Sequence, residues 1–87
     1  MGRDSNFELL TLGDKLKYLR EKQGLSQGGL SKKSEVSVAE ICRIEKGERQ
    51  NPSINLLNKL LSALEVDTET YLIVTGYNQN RGNSNDS

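Results

Sequence analysis

The chain has no histidine and no tryptophan, and only one cysteine, one proline, one methionine and one phenylalanine among its 87 residues. Each scarcity excludes something. Without histidine the commonest general acid–base group is missing, and no His/Cys cluster with metal-ligand spacing can form. The carboxylates are scattered over polar helix faces, and Gly28-Gly29 lacks the Lys and Ser/Thr of a phosphate loop. The sequence therefore predicts neither an enzyme nor a bound metal or cofactor. The sole cysteine, Cys42, rules out an internal disulfide and fits a reducing compartment. It reads as a small, half-buried helix residue rather than a redox sensor. No apolar run approaches the roughly 18 residues of a membrane span, and no signal-peptide pattern opens the chain. A cytoplasmic address is the resulting expectation. With 33% apolar residues the chain has material for one small domain with an economical core.

What the chain does have is helix punctuation. Thr11 with Asp14, Ser26, Ser37 with Glu40, Ser53, and Asp67 or Thr68 are all helix-start signals. Gly24, Gly47 and Gly76 stand where helices should stop, and Pro52 tolerates only a helix start. The pattern predicts five helices: from 11 to about 23, about 27 to 33, about 38 to 46, from the Ser53 cap to about 64, and from 69 to about 75. Leu12, Leu16 and Leu19 form the apolar stripe of the first, and Ile41 with Ile44 that of the third. Leu56, Leu57, Leu60, Leu61 and Leu64 make the fourth helix the centre of the core. An N-terminal arm over 1–10 is expected to be loose to residue 6. An extra turn then lets Phe7, Leu9 and Leu10 cover the core. The domain proper spans 11–76. Residues 77–87, which carry one aromatic and no aliphatic side chain, are expected to be a disordered tail.

Residues 25–47, LSQGGLSKKSEVSVAEICRIEKG, hold two short helices joined by a tight break, the helix-turn-helix spacing. Many helical hairpins share that spacing, so residue identities carry the weight. LREKQGLSQ (19–27), VSVAEICRIEKGERQNPS (36–53) and LLNKLLSALEVDTETYL (56–72) resemble the Cro/cI-type (XRE) helix-turn-helix family of phage and bacterial repressors. The resemblance covers about two thirds of the chain. It implies an all-α, five-helix, λ-repressor-like DNA-binding domain. It further implies a transcriptional regulator that binds double-stranded DNA, more often as a repressor than an activator, as a homodimer on a palindromic operator.

In that reading the third helix enters the major groove with its N-terminal residues at the base edges. The resemblance places Val38, Ala39 and Arg43 there, with Ser37 at the helix start. Arg43 is suited to pair with guanine O6 and N7, and Val38 and Ala39 with thymine methyls. Glu40 has two readings, an acceptor for cytosine N4 or, more readily, the second half of the Ser37 capping box. Gln27, at a helix N-terminus, matches the family glutamine that touches phosphate and braces a base-reading side chain. Lys46, Arg49, Gln50 and Asn51, with Ser53 and Asn55 at the next helix start, are expected to contact phosphates. Arg20 and Glu45 match a buried ion pair of the family. Tyr71, Ile73, Val74 and Tyr77 are more apolar than a terminal surface helix needs, and are the expected dimer surface.

Charge and several residues pull the other way. Lys plus Arg equals Asp plus Glu at 12 each, whereas DNA binders are usually basic. Residues 12–51 carry nine cations against six anions, so the motif half is positive and the flanks negative. Local field steers a phosphate backbone more than net charge does. Gly28 and Gly29 weaken the second helix by up to about 1 kcal/mol each. Ser31 replaces a small alanine. Glu35 replaces the family's turn glycine, at about 1–2 kcal/mol if it is left-handed. These departures leave open a rival: a protein-interaction module of the same fold, such as an antitoxin or a regulator-binding subunit.

Overall fold

The computed structural model describes residues 5–76. A 3-10 helix over Ser5–Leu9 precedes five α-helices: α1 (Leu12–Lys22), α2 (Gln27–Ser34), α3 (Val38–Lys46), α4 (Ile54–Leu64) and α5 (Thr68–Thr75). Among the described residues there is no strand, and no helix is long and apolar enough to cross a membrane.

Every α-helix starts on a side chain that accepts from a backbone N–H three residues on. Thr11, Ser26, Ser37, Ser53 and Asp67 accept from Asp14, Gly29, Glu40, Leu56 and Thr70 at 2.9–3.1 Å. Each bond satisfies one of the four amide groups that a helix start leaves without an internal partner. Helix ends are left-handed at Gly24, Gly47 and Gly76, but also at Glu35 (φ 65°) and Glu65 (φ 55°). A non-glycine residue in that region costs about 1–2 kcal/mol. Glu65 was not anticipated.

Packing follows the apolar stripes. Leu16, Leu30, Ile41, Ile44, Leu60, Leu61 and Leu64 are fully buried and form one cluster. α1 lies on α3, α2 on both α3 and α4, and α5 closes the bundle against α1 and α4. Gln23 Nε2 donates to the Leu64 carbonyl at 3.0 Å, tying the C-terminal ends of α1 and α4. Gly13 permits a close approach of α1 to α3. A Cβ there would lie 2.3 Å from the Ile44 carbonyl oxygen and 2.7 Å from that of Glu45. The first turn of α1 therefore rests directly on the end of α3.

Four expectations need correction. Leu9 does not cover the core; it is 82% exposed. A 3-10 helix has three residues per turn, so Phe7 and Leu10 share a face and Leu9 turns away. Phe7 packs on the core and meets the Tyr18 ring at 5.5 Å. Helix two runs to Ser34, one residue past Lys33, because the Glu35 N–H donates to the Ser31 carbonyl at 2.8 Å and closes a further turn. Helix five begins at Thr68 rather than Glu69, with Asp67 as its cap. Val74, expected on a dimer surface, is a core residue at 6% exposure. It lies three residues from Tyr71, which packs on the same cluster, so both follow the inward stripe of α5. The tail expected over 77–87, Tyr77 included, lies outside the described residues.

Candidate nucleic-acid interface

The turn between α2 and α3 is built from Ser34, Glu35 and Val36. Ser34 Oγ donates to the Leu30 carbonyl and accepts from the Val36 N–H at 3.2 Å. Glu35 reverses the chain in its left-handed conformation, and buried Val36 anchors the turn to the core. Ser37 then starts α3. Ile41 and Ile44, both fully buried, fix one face of this helix inward. The opposite face is open: Val38 is 43% exposed, and Ala39, Arg43 and Lys46 are exposed too. Ala39, Arg43 and Lys46 follow i, i+4, i+7 spacing, so they form one continuous stripe.

Behind that stripe lies a buried polar group. Arg20 Nε and Nη2 donate to the two Glu45 carboxylate oxygens at 2.7 and 2.9 Å, a bidentate pair joining α1 to α3. Both side chains are below 10% exposed. Arg20 Nη1 also donates to the Leu25 carbonyl at 2.8 Å. The hydrogen bond to Glu45 raises the already high pKa of Arg20 against the opposing effect of burial. Gln27 Nε2 donates to Glu45 Oε1 at 3.0 Å, so the start of α2 is joined to the same carboxylate. One of the two amide hydrogens of Gln27, expected on phosphate, is thus engaged inside the protein.

A second group stands at the rim. The N–H groups of Glu48 and Arg49 both donate to the Arg43 carbonyl, at 2.9 and 3.1 Å, so the chain after Gly47 folds back along α3. This fold-back brings Arg49 Nη1 onto Glu40 Oε2 in a charge-assisted hydrogen bond. Arg43 Nη1 lies 3.7 Å from the other oxygen of Glu40. The Glu40 backbone N–H completes the Ser37 cap, but its carboxylate turns to the two arginines instead of back to the helix start. That half of the expected capping box is absent. The two arginines compete successfully because each offers a charged donor.

The remaining candidates are more dispersed. Asn51, Ser53 and Asn55 are exposed, and Ser53 Oγ is occupied by its helix cap. Ile54 was missed by the sequence reading. It is 43% exposed between Ser53 and Asn55, although its phase matches Leu57, Leu61 and Leu64. It sits in the first turn of α4, past the edge of the core. On α5, Ile73 is half-buried, and the Tyr71 hydroxyl donates to Asn58 Oδ1 at 2.6 Å. Of the expected dimer residues within the described region, Ile73 is therefore the least committed to the fold.

Comparison with known proteins gives this arrangement a place. The family described as Helix-turn-helix matches residues 16–71, which span α1 to α5. The HTH-type transcriptional repressor RghR of Bacillus subtilis (strain 168) is 37% identical over 67 residues, covering 77% of this chain and 50% of that protein. The HTH-type transcriptional regulator SinR of the same organism is 33% identical over 61 residues, 70% of this chain and 55% of that protein. SinR of Bacillus licheniformis matches to the same extent. The chain spans about half the length of these curated relatives. No solved structure matches it. With a capped second helix exposing one face beyond a tight turn, and a family match over most of its length, the chain belongs to the XRE-type helix-turn-helix family.

Proposed function

We propose that the protein is a sequence-specific DNA-binding transcriptional regulator, acting as a repressor and docking α3 in the major groove of its operator. The open stripe of α3 carries this reading. A helix whose first turn is capped, exposed and backed by a rigid buried pair is suited to a groove about 12 Å wide. Arg43 reads guanine, and Val38 and Ala39, flanked by Ser37, press on thymine methyls. Lys46, Arg49, Asn51, Ser53 and Asn55 serve the phosphates. Gln27 braces Glu45 and has one amide hydrogen left for a phosphate oxygen. RghR, named a repressor, supports the sign of regulation. A single domain reaches one half-site, so a two-fold partner completes the operator, its half-sites about 10 base pairs apart.

Selection from a pool of random duplexes, followed by titration at several salt concentrations, tests this. The expected result is a palindromic motif bound about 10³-fold or more tightly than random duplex. Equal affinity for selected and random DNA would refute specific readout. One observation favours a second reading, a protein-interaction module. Glu40 places a carboxylate on the reading helix and engages two arginines that a DNA contact needs. Complete absence of DNA binding at low salt selects that alternative.

A further inference from the structure

Glu40 has a use that neither helix capping nor base reading explains. Its carboxylate is 18% exposed and receives Arg49 directly, with Arg43 at 3.7 Å. To a guanidinium, a carboxylate and a phosphate are alike: two oxygens, negative charge, the same fork geometry. Arg49 is delivered to Glu40 by the fold-back of residues 47–49 on the Arg43 carbonyl, so the contact is built into the end of α3. A DNA phosphate that claims the Nη1 donor of Arg49 must displace Glu40, and one that takes its other donors must settle beside a carboxylate. A duplex of random sequence offers phosphates only. A matching duplex also offers base edges to Arg43, Val38 and Ala39, which offset the displacement.

We propose that Glu40 is a specificity-setting residue, an internal stand-in for phosphate that holds Arg49 back from DNA of random sequence. It rests on the DNA-reading role above. Phosphate contacts supply nearly all non-specific affinity. Base contacts fix the register in which a phosphate meets Arg49 and the exchange is made, whereas on random sequence Arg49 stays on Glu40. The withheld contact is therefore lost from random binding alone.

The test uses the full chain and two probes: a random-sequence duplex and a duplex selected by the parent protein. Glu40→Gln should tighten binding to the random duplex by about three- to ten-fold at low salt, and steepen its salt slope by about 0.9. One added phosphate contact also means that this advantage shrinks about 3.5-fold between 50 and 200 mM salt. The ratio of specific to random affinity should fall. In an Arg49→Gln background the Glu40→Gln change should no longer steepen the slope. Glu40→Asp, which keeps the charge one methylene short of Arg49, should shift random binding in the same direction as Glu40→Gln while retaining the helix signal. An unchanged slope for Glu40→Gln on DNA that the parent binds overturns this proposal alone. So does a gain that survives intact without Arg49, since that assigns the effect to charge repulsion. A parent that binds neither duplex overturns the DNA-reading role, and this inference with it.

Discussion

The same substitution, glycine to alanine, should have opposite effects at the second residues of α1 and α2. Alanine is favoured over glycine in a helix by up to about 1 kcal/mol, chiefly because glycine has more backbone freedom to lose. At Gly28 nothing opposes this gain, since the nearest atom to a new Cβ is Ser26 Oγ at 3.8 Å, an ordinary contact. Gly28→Ala should therefore stabilise by about 0.5–1 kcal/mol. At Gly13 the new Cβ would meet two backbone oxygens at 2.3 and 2.7 Å. Carbon–oxygen contacts settle near 3.3 Å, so the first turn of α1 must retreat from α3 by about an ångström. Backbone shifts of that kind cost about 1–3 kcal/mol, which outweighs the helix gain. The retreat also strains the Arg20–Glu45 bond, which crosses the same interface. Gly13→Ala should thus lose about 1–2 kcal/mol net, lowering the melting temperature by several degrees for a domain this small. Urea unfolding followed by circular dichroism measures both variants, with equal m-values as the condition for comparison. A Gly13→Ala protein at least as stable as the parent would show that α1 and α3 do not meet this closely.

Arg20→Met should cost about 3–5 kcal/mol by stranding buried Glu45, whereas Lys17→Met, on an exposed position, should cost little. A double-mutant cycle with Glu45→Gln should return a coupling above about 1 kcal/mol, and none would refute the pair. Arg43→Ala should lose about 1–3 kcal/mol on a selected duplex and relax preference at one base pair. An equal loss on random duplex reduces Arg43 to a phosphate contact. Ile73→Asp should weaken dimerisation in sedimentation experiments and abolish tight operator binding with helicity nearly intact. Unaltered binding to a palindromic site would remove α5 from the dimer model, and unfolding would assign Ile73 to the core.

Much of this fold was legible because its signals are local. A Ser, Thr or Asp before an apolar stripe finds its N–H three residues on, whatever surrounds it, so all five α-helices begin within a residue of expectation. Periodicity placed Leu16, Ile41, Ile44 and Leu60 inside for the same reason. The failures are tertiary. Gly13 reads as a poor helix residue until α3 is laid against it. Glu65 is left-handed because α5 must turn back on α4, and no preference of glutamate announces it. Residues 71–74 are four apolar side chains in succession, so their pattern has no phase, and Val74 could not be told from Ile73. Glu40 had a sufficient local role in the Ser37 cap. Its actual partner is nine residues away, across a loop whose path depends on the end of α3.

The electrostatic balance follows from the same two groups. α3 carries Glu40, Arg43, Glu45 and Lys46, formally neutral, as the whole chain is. Both of its carboxylates are engaged by arginines from outside the helix: Glu45 by Arg20 of α1, and Glu40 by Arg49 of the following loop. Arg43 and Lys46 remain on the exposed face as the helix's own cations, Arg43 at 3.7 Å from a Glu40 oxygen whose partner oxygen is already held by Arg49. An incoming phosphate responds to this local field within a Debye length of about 8–10 Å, not to the sum over the chain. A protein of zero net charge can therefore present a positive reading face, provided its acids are held by bases that the face does not need. Arg20 meets that condition permanently, because it is buried. Arg49 meets it conditionally, since it stands at the rim where a phosphate can claim it. The first pair sets the shape of the interface, and the second is the one whose exchange a DNA-binding measurement can detect.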